Sequence, residues 1–414
     1  MSKEIFDYKP NILRWSCAIM LTFLSIIAGN AQIAGEETTE KLVSLGFENV
    51  RWKETENERI YTIENNIFKA QGVGIAKAID IIQKYGLPEN KRCKVIVTHL
   101  DVPELALTYE PTGATDTEVE RRNWNTSYEL GDSWDSVKKE KKKNSSRFKV
   151  DILVYPQLSY KNLIITQIYQ VLFTLNPAIE VSFWKGMKLT AQVIVPIYND
   201  GYGTLKDKVH LGFITVSQKF RLPFNIKGKA VAGLYNMDRY GADLYLFRPF
   251  KFDERFSLEG RIGITSIGYW NGFQYHYATN KEAWKVNWTL GANFYWPKYN
   301  TEFSLKAEEY LLGERGVKFE MVRNFRYASV GFYAQKAKVA KSNGGFRFQI
   351  LLPPYKQKRH KYIPRVSTSY NMGIVYNAGN ERYYYKQHRS ESSENIMSEN
   401  SFNPYFIKSE LSIN

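Results

Sequence analysis

Downstream of its N-terminal segment the chain has no run approaching 18 consecutive apolar residues. That excludes helical membrane spans there. Cysteine is nearly missing. Of two cysteines, Cys17 lies in the N-terminal apolar run and Cys93 stands alone downstream. One thiol forms no internal disulfide, and the strand-like run Cys93-Lys94-Val95-Ile96-Val97 reads as burying it for structural reasons. Histidine is scarce too. His99, His210, His276, His360 and His388 include no pair at metal-ligand spacing. A Gly-x-Ser-x-Gly elbow is lacking, because Ser266 falls one position off between Gly263 and Gly268. No catalytic residue, metal or cofactor is therefore expected, and an enzyme with a lumen-facing Ser/His pair ranks last.

Aromatic residues are abundant, at 15%, with 29 Tyr, 24 Phe and 9 Trp. Mean hydropathy is nevertheless −0.42. A chain polar on average yet rich in aromatics fits a barrel with a lipid face, aromatic girdles and a wet interior. Its net charge is +15, which suits acidic polymers, anionic lipid or nucleic acid. The N-terminus decides among these. Lys3, Lys9 and Arg14 precede an apolar run from Cys17 to Ala28, followed by Gly29 and Ala31. About a dozen apolar residues match a signal-peptide core and fall short of the roughly 20 that span as a helix. Cleavage after Ala31 is expected, giving a signal peptide over 1–31 and an exported chain. Export argues against nucleic acid as a partner.

The rest divides into three regions. Residues 36–110 read as a small α/β periplasmic domain. Thr38 or Thr39 can cap a short helix ending near Gly46, strands follow around 50–53 and 59–63, and Ile75, Ala78, Ile79 and Ile82 recur at helical spacing before a strand at 93–100. Gly72-Val73-Gly74-Ile75-Ala76-Lys77 imitates a phosphate-binding turn, but Lys77 stands at the third glycine position. Its glycines are read as allowing a tight strand-to-helix connection. Residues 111–147 are polar, with the charge block Lys138-Lys139-Glu140-Lys141-Lys142-Lys143, and read as a mobile linker or loop. The alternative is a basic patch for anionic headgroups or an acidic polymer.

From about 148 to 414 the period becomes two. Met187, Leu189, Ala191 and Val193 alternate with Lys188, Thr190 and Gln192. Phe256, Leu258, Ile262 and Ile264 alternate with Ser257, Glu259, Arg261 and Gly263. Val286 to Trp296 and Val317 to Met321 repeat the pattern, and Tyr405, Ile407, Leu411 and Ile413 are read as the last strand. Turns are placed at 199–201, 236–238, 313–316 and 343–345, with longer loops at 271–284 and 386–402. Alternation alone also suits a soluble sandwich. Strand lengths near 10, and Tyr/Trp clusters at strand ends (Tyr269-Trp270, Tyr295-Trp296, Tyr383-Tyr384-Tyr385), favour a transmembrane antiparallel β-barrel of about 12–14 strands.

Several segments then resemble one family. Glu309-Tyr310-Leu311-Leu312-Gly313-Glu314-Arg315-Gly316, continuing through Val322-Arg323-Asn324-Phe325 to Val330-Gly331-Phe332, is similar to a hairpin of the YjbH family. These are outer-membrane proteins associated with exopolysaccharide and capsule export. Gly345 to Pro353, Tyr240 to Phe250 with Arg248-Pro249, and Val154-Tyr155-Pro156-Gln157-Leu158 resemble other parts of that barrel. Ile60 to Asn65 with Ile75 to Ala78 resembles its periplasmic module. The resemblance implies structural roles for Tyr310, Gly313, Gly316, Arg323, Phe325, Gly331, Arg248 and Pro249, and no catalytic residue.

The expected function is thus non-catalytic participation in exopolysaccharide or capsule export or assembly at the bacterial outer membrane. Lys188, Arg261, Lys318 and Arg323 are the candidate lumen residues for a glycan, an acidic one by charge. Ordinary lumen ion pairing with Glu259 and Glu320 is the plain alternative for them. The expected partners are a polysaccharide, outer-membrane lipid and other export proteins. The competing functions are a general porin-like channel and a scaffold barrel that docks secretion partners.

Overall fold

A computed structural model describes residues 33–111, 121–162, 169–235, 238–340, 342–378, 387–390 and 401–411. The expected signal peptide and the Tyr383-Tyr384-Tyr385 cluster lie outside the described residues. So do parts of the 111–147 segment and of the loop at 386–402.

The N-terminal unit starts with helix α1, residues 33–45. Thr38 and Thr39 sit inside it, bonding back to Ala34 O and Glu36 O, and do not cap it. Gly46, at φ +116, ends it, with Gly46 and Phe47 N–H both reaching Leu42 O. Strands β1 (Glu48–Glu54) and β2 (Glu58–Glu64) form a hairpin. Helix α2 (Gln71–Tyr85) crosses over to β3 (Arg92–His99), parallel to β2. A tight turn through Leu100 and Asp101, both at positive φ, leads to β4 (Val102–Tyr109). The thiol of Cys93 is fully buried in the core beneath α1 and α2, and burial pushes its pKa up.

The unit does not stop at 110. Within the segment expected to be a mobile linker, β5 (Asn125–Ser127) adds a fifth strand to the sheet, and α3 (Ser133–Val137) packs on its other face. Trp124 is fully buried in the main core, and Tyr128 is buried as well. The charge block is also tied down. Lys142 bonds Asp101, which Arg51 holds at 2.7 Å, and Lys143 pairs with Glu36. Two isolated aromatics outweighed a polar composition, because each buries a large apolar area.

The second body is one sheet. Its long strands are β6 (Val150–Asn162), β7 (Tyr169–Val181), β8 (Met187–Asp200), β9 (His210–Arg221), β10 (Lys227–Tyr235), β11 (Arg239–Pro249) and β12 (Phe256–Asn271). After the short β13 (Gln274–Tyr277), which only extends a hairpin with β12, come β14 (Lys285–Trp296), β15 (Thr301–Glu309), β16 (Arg315–Asn324), β17 (Ala328–Ala337) and β18 (Asn343–Leu351). Each pairs antiparallel with the next in an up-and-down meander. Asn343-Gly344-Gly345, expected as a turn, opens β18.

Closure comes from residues 365–377. Strand β19 (Arg365–Thr368) runs parallel to β6, Ser369 N–H donates to Val154 O, and β20 (Asn371–Asn377) then pairs with β18. One segment therefore touches both edges, and the fourteen-strand path is nearly closed. Closure protects edges that would otherwise present unpaired backbone groups.

The barrel is inverted in polarity. On β12, Leu258, Ile262 and Ile264 point outward and are 41–51% exposed, while Ser257, Glu259 and Thr265 are buried inward. Leu290, Leu305, Val317 and Phe332 extend the outer apolar face across four more strands. A water-soluble barrel does the reverse.

The N-terminal unit caps one mouth. The turns at that end hold it: Gly186 N–H donates to Leu100 O, Arg221 to the carbonyls of Pro103 and Glu104, and Tyr128 N–H to Glu254. Lys69 Nζ reaches Leu352 O, Thr368 Oγ1 and Ser369 O at the closure seam.

The stretch expected as the last strand is helical among the described residues. Residues Pro404–Leu411 form helix α4. Asn403 Oδ1 accepts from Tyr405 and Phe406 N–H, and Pro404 occupies the first helical position. Ile407 and Leu411, one turn apart, then enter the core of the cap.

Candidate functional site

The lumen of the barrel carries most of its buried charge. Its centre is Glu320, with Lys318 and Arg347 each at 3.0 Å and Lys306 at 3.4 Å. Lys306 also reaches Glu259 at 2.6 Å. These side chains come from β12, β15, β16 and β18, brought together because every second residue of each strand points inward. A second cluster joins Arg261 to Asp243 at 2.8 Å. Buried charges persist only when paired in this way.

Three of the four expected lumen cations are there. Lys188 faces inward near Glu180, at 3.7 Å, while Arg261 and Lys318 take part in the clusters above. Arg323 does not. It shares the outward parity of Val317 and Phe319 and lies over the rings of Phe325 and Tyr299 at the capped end. Lys306 and Arg347 belong to the lumen instead. The alternation Phe303-Ser304-Leu305-Lys306 signals the first, and Phe346-Arg347-Phe348 the second.

The remaining motif residues shape hairpins. Tyr310 is buried against Ala337 and Ala340. Gly313 adopts φ +77 in the turn, where glycine alone is unstrained. At Gly316 a side chain would press on Lys336 O, 2.6 Å from an added Cβ. Gly331 is buried beside Val322, Phe325 is exposed, and Arg248 points outward next to buried Pro249.

Between cap and barrel lies a cavity of about 310 Å³. Lys188, Lys219 and Lys229 line it from three adjacent strands, with Glu180, Glu302, Tyr155 and Tyr370 around them and Phe402 and Phe406 from the C-terminal segment. Lys219 and Lys229 are direct cross-strand neighbours. Such a like-charge pair is unfavourable by itself. Glu104 of the cap offsets it, reaching Lys219 at 2.7 Å and Lys227 at 3.2 Å. Burial alone would raise the Glu104 pKa, but the two ammonium groups outweigh it and hold the pKa at about 2.

Residues 387–390 lie inside the lumen. His388 is fully buried, with Nε2 2.9 Å from Asp243 and its ring stacked on Tyr235 at 5.5 Å. Glu410 of α4 reaches the first turn of α2. Gly72 N–H donates to it, and a side chain at residue 72 would overlap it. Burial raises the Glu410 pKa to about 7 against the pull of Arg326. The Gly72-Val73-Gly74 turn therefore clears space for Glu410 and, at Gly74, for Asn65.

Among the described residues, no three His, Cys, Asp or Glu side chains gather as a metal site. Comparison of the chain with family models, curated proteins and solved structures found no match.

Proposed function

We propose that this chain is a bacterial outer-membrane β-barrel taking part, without catalysis, in export or assembly of an acidic extracellular polysaccharide, with its α/β cap on the periplasmic side. The inverted polarity carries the membrane part of this reading. Apolar side chains cover the outside and ion pairs fill the inside, the arrangement lipid favours and water does not. The twelve long strands run 9–16 residues, and about 9–11 cross a bilayer. Exposed aromatics mark both ends of the apolar band. Trp184, Phe224, Phe252 and Tyr362 lie at the capped end, and Tyr169, Tyr198, Tyr277 and Trp284 at the other. Such rings favour the headgroup level.

The glycan part rests on the motif resemblance together with the chemistry of the cavity. Cationic side chains can hold carboxylate-bearing sugars, and Tyr155, Tyr370 and Phe402 offer ring faces beside them. An open general porin is the second reading, and the occupied lumen and capped mouth speak against it. Deletion of the gene followed by staining of surface glycan tests the proposal. Loss of the glycan, restored by complementation, is expected, and unchanged surface glycan would refute it.

A further inference from the structure

The last strand of the barrel wall, β20, ends at Asn377. Beyond that residue the chain adds no strand to the wall among the described residues, yet it is held at two levels. In the lumen, Gln387 bonds Thr289 at 2.9 Å, and His388 meets Asp243, Arg261 and Tyr235. These contacts come from four adjacent strands, β10, β11, β12 and β14. Gly263 makes the room, because a side chain there would overlap the imidazole. At the capped mouth, α4 wedges between cap and barrel. Ile407 and Leu411 enter the cap core, Glu410 meets Gly72 N–H and Arg326, and Ser409 bonds Asn300 of a barrel turn.

Barrel wall and cap are both shaped for this segment. A notch at Gly263, a ring platform at Tyr235 and the helix end at Gly72 each match one of its residues, although wall closure needs none of them. We propose that the lumen and its capped mouth form a peptide-docking channel whose resident occupant is the chain's own residues 387–390 and 401–411, a plug that must leave before a polymer passes. The docking stands on the contacts alone, while the role in passage rests on the membrane-barrel reading above.

The test uses a chain lacking 387–414, folded in detergent micelles, and a fluorescent peptide of residues 387–411. Saturable binding to the shortened chain and none to the full chain is expected. His388→Ala in the peptide weakens binding by about tenfold or more, as for loss of a hydrogen bond to a charged group. Absence of saturable binding by the folded shortened chain, or equal binding by both chains, overturns the proposal.

A second variant covers a shortened chain that fails to fold. In the full chain with Cys17→Ser, Gly72→Cys and Glu410→Cys bring two thiols together, since an added Cβ at 72 falls 2.4 Å from that of Glu410 and a shift of about 1–2 Å reaches disulfide spacing. In vesicles, with insertion verified by co-flotation, reduction of that bond is expected to raise conductance at least tenfold. Equal conductance of the inserted oxidised and reduced protein overturns the plug. Failure to insert while the peptide still binds sinks the membrane reading and leaves the docking intact.

Discussion

Ile262→Arg separates a lipid-facing barrel from a water-facing one. Ile262 sits near the middle of the sixteen-residue β12, points outward and is 51% exposed. Its cross-strand neighbours are Leu244 and Trp288. In water an exposed isoleucine of this kind can be replaced within about 0.5 kcal/mol. At the midplane of a bilayer, arginine on the lipid face of a barrel costs about 2–4 kcal/mol, falling to about 0–1 near the interfaces. The lower figure is already roughly a 30-fold change in the folded ratio. Phe256→Arg, at the capped end of the same face, supplies the depth control. The assay is reversible folding into lipid vesicles against urea, followed by tryptophan fluorescence and heat-modifiable gel mobility. A penalty below about 0.5 kcal/mol at residue 262, or equal penalties at 256 and 262, would refute the inverted-barrel argument.

Two further outcomes follow from the charges. Lys306→Met leaves Glu259 and Glu320 without their shared ammonium group, and a broken buried pair costs about 3–5 kcal/mol. The urea midpoint should fall accordingly, and an unchanged midpoint would mean that water already solvates these carboxylates. Glu410 supplies a pH dependence. Its pKa rises on docking from 4.5 to about 7, so the docked state binds the extra proton. That contribution is fully present below pH 4.5 and is lost as pH rises through 7, on the order of 3 kcal/mol in all. Hydrogen exchange of residues 401–411 should therefore speed up between pH 5 and 8 beyond its intrinsic trend, and Glu410→Gln should flatten the excess. An identical slope in that variant would exclude Glu410 as the source.

Much of the barrel is legible residue by residue. A strand's side chains alternate faces, so Lys188, Arg261 and Lys318 could be assigned to one face before any strand was paired. The same rule, applied to Arg323, places it with Val317 and Phe319 on the outside. That error came from neglected parity and not from missing information. Tyr405, Ile407, Leu411 and Ile413 misled for another reason. Their odd-numbered spacing imitates a strand, while the Asn403-Pro404 helix start was the stronger signal. Trp124 and Tyr128 carried too little periodicity to outweigh the polar residues around them.

By itself, the sequence determined which residues face which side of each strand, the inert burial of Cys93, and a small α/β unit before the barrel. These follow from local periodicity and propensity. Tertiary structure alone decided that 365–377 joins both edges of the sheet, that Glu104 answers Lys219 and Lys227, and that His388 fills the notch at Gly263. Each of these brings together positions far apart in the chain, and no pattern within either segment encodes its partner. Such choices emerge only when closure of the barrel fixes which inward-pointing groups share one confined interior, where buried charges meet their counterparts.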